Sequence, residues 1–383
     1  MEPAFEIGSV SQGAAWFLAG GLVFYAVLVA LYAQNAFKVG LTDRWSAALA
    51  AVVLALLAAL LGTRGAEILP APVSVWAAAA MVAGLVFTLT FTLGRYQEDI
   101  DRFRQRFGDR LNALLEEALP EERLADLERL RERFQWGHEE RRKAPHLLMG
   151  VFLVIYLAVG YLVVRAAWTL LYGGRPAEAT GEGVINLDVL RSGDWMVAGH
   201  LVGVFCLLFI LFFILPPELL RLRYPELSYP FKQIVLSRMR DREYGLFVAH
   251  TYISATLPLA VLWVTRDPAN WHVTIPAVLG IFGVTVFADA ASALFGKRWG
   301  KRKWPHNRDK SYVGTFAGAV VGFAVALPFV GAPMAIVSAA VFVAIDLAAP
   351  VPISITDNIL NPLALAGAYW LLEGWLDPLV PFY

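Results

Sequence analysis

The chain has 383 residues, 58% of them hydrophobic and 17% charged, with a mean hydropathy of +0.57; soluble domains carry about 25% charged residues, so an ordinary soluble globule is excluded. Its 32 Lys/Arg and 32 Asp/Glu cancel, which leaves no bulk basic charge for nucleic acid. The single cysteine, Cys206, lies in an apolar run and can form neither an intrachain disulfide nor a cysteine metal site.

A membrane helix needs about 20 apolar residues to cross some 30 Å of hydrocarbon. In chain order, such runs fall at 14–32, 46–61, 73–93, 147–171, 195–215, 246–264, 273–295, 313–330, 334–347 and 360–376. The expected fold is therefore all-α and polytopic, with about ten transmembrane helices. No Lys or Arg precedes the first run, whereas Glu2 and Glu6 do, so this run is not a cleaved signal peptide and is expected to stay.

Between the third and fourth runs, Leu111, Leu114 and Leu115, then Leu124, Leu127, Leu130 and Phe134, recur at helical spacing on either side of Pro120. This charged stretch predicts a cytoplasmic helical hairpin. Three regions follow: a three-helix membrane region at 1–94, the hairpin at 95–138, and a seven-helix membrane domain at 139–383.

Charge sets the expected orientation, because short Lys/Arg-rich connections stay in the cytoplasm. The alternate connections 34–45, 95–146, 216–243 and 296–312 hold 2, 12, 6 and 7 Lys/Arg, or 27 of the 32. Both termini are then expected outside and these four connections inside, in an integral protein of the cell (plasma) membrane.

Polar residues at membrane depth mark where chemistry belongs, since an ionised Asp at a helix centre costs about 3 kcal/mol. Asp289 stands near the inner end of the seventh span, with Ser292 and Gly296 on the same helical face. The connection after it, from Gly296 to Thr315, holds seven basic residues and one acid. Lys301 to Lys303 are explained by ordinary positive-inside charge. Lys297, Arg298 and Lys310 stand instead beside the start of an outward-running helix, where Ser311, Gly314 and Thr315 present backbone N–H groups and the positive end of the helix dipole. That combination suits a phosphate.

Asp346 lies at the inner end of the ninth span, and Asp357-Asn358 precede the tenth. An N-cap explains one such residue; together with Asp289 they form an oxygen set suited to Mg²⁺. Two further groups face the same side: Arg142, Lys143 and His146 at the start of the fourth span, and Glu218, Arg221 and Glu243 in an inner connection, where solvated salt bridges are the simpler explanation. No GxxxxGK[ST], HExxH or GxSxG motif is present.

The ordered set Arg142-Lys143 with His146 and Gly150, Asp289 with Gly296-Lys297 and Gly300, Lys310-Ser311 with Gly314-Thr315, and Asp357-Asn358 resembles the CTP-dependent polyprenol kinases, the family of dolichol kinase, phytol kinase and yeast-type diacylglycerol kinase. The resemblance runs from about Glu139 to the C-terminus. It implies transfer of the γ-phosphoryl group of CTP to the hydroxyl of a membrane lipid alcohol. Phosphates would go to Lys297, Arg298 and Lys310, Mg²⁺ would go to Asp289, Asp357, Asn358 and Asp346, and Asp289 or His146 would take the proton. Val313 stands where the family has Glu, and Asp346 where it has a Glu in the penultimate helix.

Two rival functions follow from the same features. A phosphatidate cytidylyltransferase shares related motifs, but its late G-H-G-G-x-x-D-R-x-D pattern is absent. A transporter or non-catalytic lipid-binding protein would use Asp289 and Asp346 as ion-path residues, yet it predicts acids toward the bilayer midplane and inverted halves. The first three helices and the hairpin carry no recognised motif; regulation, homodimerisation and added bilayer contact all suit them.

Overall fold

The computed structural model describes residues 7–39, 41, 44–69, 71–116, 195–223, 247, 249–265, 271–349 and 356–376. The elements among them are helical: α1 (Ile7–Val39), α2 (Arg44–Ile68), α3 (Ala71–Glu116), α4 (Trp195–Arg223), α5 (Ala249–Val264), α6 (Trp271–Gly283), a π-helical segment (Val284–Ala288), α7 (Asp289–Trp299), α8 (Tyr312–Ala348) and α9 (Asp357–Leu371), closed by a 3₁₀ turn at Glu373–Trp375. Six stretches are long and apolar enough to cross a membrane: Val10–Lys38, Arg44–Ile68, Val73–Tyr96, His200–Leu222, Thr274–Trp299 and Tyr312–Ala348.

The outer surface confirms the setting. Leu93, Leu371 and Phe316 are 70%, 70% and 72% exposed, and α1 turns Trp16, Phe17, Phe24 and Leu31 outward. Exposed apolar faces of this extent belong against lipid. Several buried hydroxyls are satisfied within their own helices, as the absence of water demands: Thr88 donates to Gly84 O at 2.8 Å, Thr256 to Tyr252 O at 2.7 Å and Ser338 to Met334 O at 2.6 Å.

Small residues let the helices approach. Along α2, Ala47, Ala50, Ala51, Leu54, Ala58 and Gly65 are buried, and a Cβ on Gly65 would come within 2.6 Å of Ala15 Cβ on α1. Ser11 Oγ donates to Leu69 O at 3.1 Å and Trp16 Nε1 to Gly62 O at 3.1 Å, fixing α1 and α2 side by side.

The 37 residues of α8 would run about 55 Å as one straight helix, well beyond the hydrocarbon thickness. Gly331 instead adopts φ 78°, ψ 169°, a conformation open to glycine, between Pro328 and Pro333. The chain reverses there: Thr315 Oγ1 donates to Asp346 Oδ2 at 2.6 Å, and Gly318 packs on the Phe342 ring. The two arms are the eighth and ninth expected spans. The sixth and tenth expected runs overlap the 16-residue α5 and the 15-residue α9, each shorter than a full crossing.

The boundary placed at residue 94 falls inside α3, which continues without a break to Glu116, so the third span and the first charged segment are one helix. The fourth expected span and the rest of the hairpin lie outside the described residues.

Candidate functional site

The candidate site is assembled at the end of the bundle where α7 finishes, α8 starts and ends, and α9 starts. Glycines bring the two longest walls together. A Cβ on Gly314 would meet Ser292 O at 2.6 Å and Gly296 Cα at 2.9 Å, and one on Gly296 would meet Gly314 Cα at 3.2 Å. The α7–α8 seam is thus closed backbone to backbone. One turn before it, the π segment widens the helix just ahead of Asp289, a distortion that recurs at functional sites.

The basic connection is a built structure. Lys303 and Ser311 form an antiparallel bridge, Trp304 N donates to Lys310 O at 3.1 Å, and Tyr312 N donates to Arg302 O at 3.2 Å. The Trp304 and Tyr312 rings lie 3.9 Å apart, and Trp304 Nε1 donates to Thr315 Oγ1 at 3.2 Å. Asn307, which no motif singles out, donates through Nδ2 to Leu347 O at 3.3 Å and Ala349 O at 3.1 Å, pinning the loop to the end of α8.

This loop sets Lys310 among acids from three helices. Its ammonium donates to Asp346 Oδ1 at 2.7 Å and Asp357 Oδ2 at 3.0 Å. Burial alone would lower the Lys310 pKa, but the charges of Asp357, Asp346 and Asp289, with the Asp346 hydrogen bond, outweigh it and hold it above the ordinary lysine value. Asp346 is buried and fully served by donors: Thr315 Oγ1 at 2.6 Å on Oδ2, Lys310 on Oδ1, and Ser292 Oγ at 3.3 and 3.4 Å.

The opening of α9 is held separately. Thr356 is its N-cap, accepting from Asn358 N at 3.3 Å and Asn358 Nδ2 at 3.1 Å, while Thr356 N donates to Ser46 Oγ of α2 at 3.0 Å. The N-terminal region of the chain is thereby joined to the site.

Of the residues expected at phosphate, Ser311, Gly314 and Thr315 have protein partners. Ser311 caps α8 by accepting from Gly314 N at 3.1 Å, Gly314 closes the seam, and Thr315 serves Asp346. Lys297 and Arg298 are exposed, with the Arg298 guanidinium 5.0 Å from the Trp299 ring centre. Val313 is exposed on the outer face of α8. Glu218 and Arg221 bind each other through two 2.9 Å hydrogen bonds, buried near the end of α4. Arg142, Lys143, His146 and Glu243 lie outside the described residues.

The acid cluster as folded does not fit a resident divalent ion. Both Asp346 oxygens are engaged, Asp357 accepts from Lys310 and from Thr356 Oγ1 at 3.3 Å, and the compensating charge is the Lys310 ammonium itself. Among the described residues no three His, Cys, Asp or Glu side chains form a group that could hold a metal.

Fold and site together define a polytopic helical membrane protein with a lysine–carboxylate centre at one end of its bundle. The chain matches no family model, no curated protein and no solved structure.

Proposed function

We propose that this ten-span chain is a CTP-dependent lipid kinase of the polyprenol kinase type. It would transfer the γ-phosphoryl group of CTP to the hydroxyl of a membrane alcohol at the cytoplasmic face of the plasma membrane. The observation that carries this reading is the position of Lys310: an ammonium fixed by Asp346 and Asp357, in the field of Asp289, at the foot of an exposed basic edge.

An ammonium has three N–H bonds. Two go to Asp346 and Asp357, and the third is available to a phosphate oxygen. Lys297 and Arg298 receive the rest of the polyphosphate from solvent, and Mg²⁺ enters with it as part of the magnesium–nucleotide substrate. Phosphoryl transfer asks for positioning and charge neutralisation more than covalent help. The alcohol oxygen forms a bond to the γ-phosphorus, the bond to the β,γ-bridging oxygen breaks, and CDP leaves with that electron pair. The hydroxyl proton passes to Asp289 or His146.

The test is purified protein with Mg²⁺, CTP or ATP, and a panel of dolichol, undecaprenol, phytol, farnesol and diacylglycerol. Label from the γ-phosphate of CTP is expected in the lipid. Label from the cytidine ring would indicate a cytidylyltransferase instead, and no labelled lipid with any acceptor would sink the kinase reading.

A further inference from the structure

Five side-chain polar atoms among the described residues are buried without a hydrogen-bond partner: Thr92 Oγ1, Thr251 Oγ1, Thr285 Oγ1, Asn307 Oδ1 and Asn361 Oδ1. Leaving such an atom unpaired costs about 1–3 kcal/mol, so each one calls for an explanation. Asn307 is spent through its other amide atom on the end of α8. Thr285 and Asn361 stand together in a way the others do not.

Thr285 precedes Asp289 by four residues and Asn361 follows Asp357 by four, so each lies one turn from an acid of the Lys310 centre on the same helical face. The two helices run in opposite senses from that centre, α9 away from it and the π segment toward it, and they pack on each other. Both orphans therefore lie at one level, about 6 Å into the bundle from the acids. Two turns further along the Asn361 face, Tyr369 packs on Gly280 of α6, where a Cβ would meet the phenol oxygen at 2.7 Å. The Asn361 face of α9 is therefore turned to the helix that carries Thr285.

The backbone is irregular on both sides of this level. Thr285 sits within the π segment. On α9, Pro362 has no N–H to give the Asn358 carbonyl, which loses its helical partner on the turn that carries Asn361. Elsewhere in the bundle Thr88, Thr256 and Ser338 bond back to their own helix, whereas Thr285, like Thr92 and Thr251, does not.

We infer that Thr285 and Asn361 form a hydroxyl-docking subsite, one helical turn on the membrane side of Lys310, that takes the alcohol end of the lipid acceptor. The chemistry matches on both sides. An alcohol donates one hydrogen bond and accepts another; the Asn361 amide oxygen accepts and the Thr285 hydroxyl donates. If the amide is turned over, its NH₂ donates and Thr285 accepts, so the pair still matches an alcohol. Both groups are neutral, which favours a neutral hydroxyl over an ion. The acids lie one turn to one side of the subsite, and one turn beyond Asn361 on the other side Leu365 is buried and apolar. The inference rests on the lipid-alcohol reading above and names the residues that would select the hydroxyl.

The experiment compares equilibrium binding of farnesol with that of its methyl ether, which cannot donate a hydrogen bond, to the purified full-length protein without nucleotide. The parent should prefer the alcohol by roughly 3- to 10-fold, the effect of one hydrogen bond. Thr285→Val and Asn361→Leu should each lose most of that preference, and Thr285→Ser should restore it. Because the atoms removed have no partner in the fold, both variants should melt no lower than the parent. In the kinase assay the acceptor KM should rise with the CTP KM unchanged. An unchanged preference in both variants, failure of Thr285→Ser to restore it, or a lower melting temperature in both would overturn the subsite. A parent that prefers the alcohol but phosphorylates nothing would remove the kinase reading and leave the subsite standing.

Discussion

Lys310 donates to Asp346 at 2.7 Å, across 36 residues of sequence, and the same ammonium reaches Asp357 at 3.0 Å. One cation therefore ties the loop before α8, the last turn of α8 and the first turn of α9. Removing one member of a buried pair strands the other charge, at about 3–5 kcal/mol. Lys310→Met is expected to destabilise the protein by that order in detergent, and Asp346→Asn added to it should recover part of the loss. Unfolding followed by tryptophan fluorescence checks both, and a Lys310→Met variant as stable as the parent would show that the pair contributes nothing.

The same pair fixes a pH dependence. The Lys310 pKa is raised above its unfolded value of about 10.5, so its stabilisation is complete below that pH and is lost only as pH rises through the folded value. Between pH 6 and 9 the stability difference between the parent and Lys310→Met should be constant, and it should shrink only in strongly alkaline solution. Melting curves across that range check it; a difference that falls away near neutrality would mean that Lys310 is not held by these acids.

Glycine substitutions should grade with the space described. At Gly314 an added methyl meets the backbone of Ser292 and Gly296, which cannot yield as a side chain can. Gly314→Ala should cost about 1–3 kcal/mol by forcing α7 from α8. At Gly322 the nearest atoms are side-chain carbons at 3.3 and 3.6 Å, and at Gly367 nothing lies within 4 Å. Gly322→Ala should be milder than Gly314→Ala, and Gly367→Ala close to neutral. Equal losses at all three would place the seam elsewhere.

Lys297 and Arg298 are exposed near the end of α7. Changing each to Ala should leave the melting temperature within error of the parent while raising the nucleotide KM several-fold, more at low ionic strength than at high, as expected of screened surface charge. Initial rates at two salt concentrations measure this. A kcat loss with unchanged KM would give these residues a different part.

Much of the fold was legible because the bilayer imposes a length rule that local composition reports directly. Val330-Gly331-Ala332-Pro333 interrupts two apolar runs, and the reversal of α8 is found at Gly331. Asp289, Asp346, Asp357 and Lys310 could be placed at one end by counting passes, and they are found around one ammonium. Their partners could not be read in the same way. That Lys310 binds carboxylates, that Thr315 serves Asp346, and that Ser311 spends its hydroxyl as a cap depend on contacts 36, 31 and three residues apart that no periodicity encodes. The π segment is equally silent in sequence, since Val-Thr-Val-Phe-Ala suits an ordinary helical turn. Asn307 was missed because its role depends on two carbonyls at the far end of the hairpin.

The reversal at Gly331 also bears on biogenesis. Lys310 and Asp346 sit at opposite ends of the same hairpin, so a nascent chain that has emerged only as far as Gly331 carries the lysine without its acid. The second arm must enter the bilayer with Asp346 already able to find Thr315 and Lys310, which favours insertion of both arms as a closed unit rather than one after the other. The centre would then be completed when α9, made after the hairpin, brings in Asp357, and would act as a check that the hairpin has been threaded the right way.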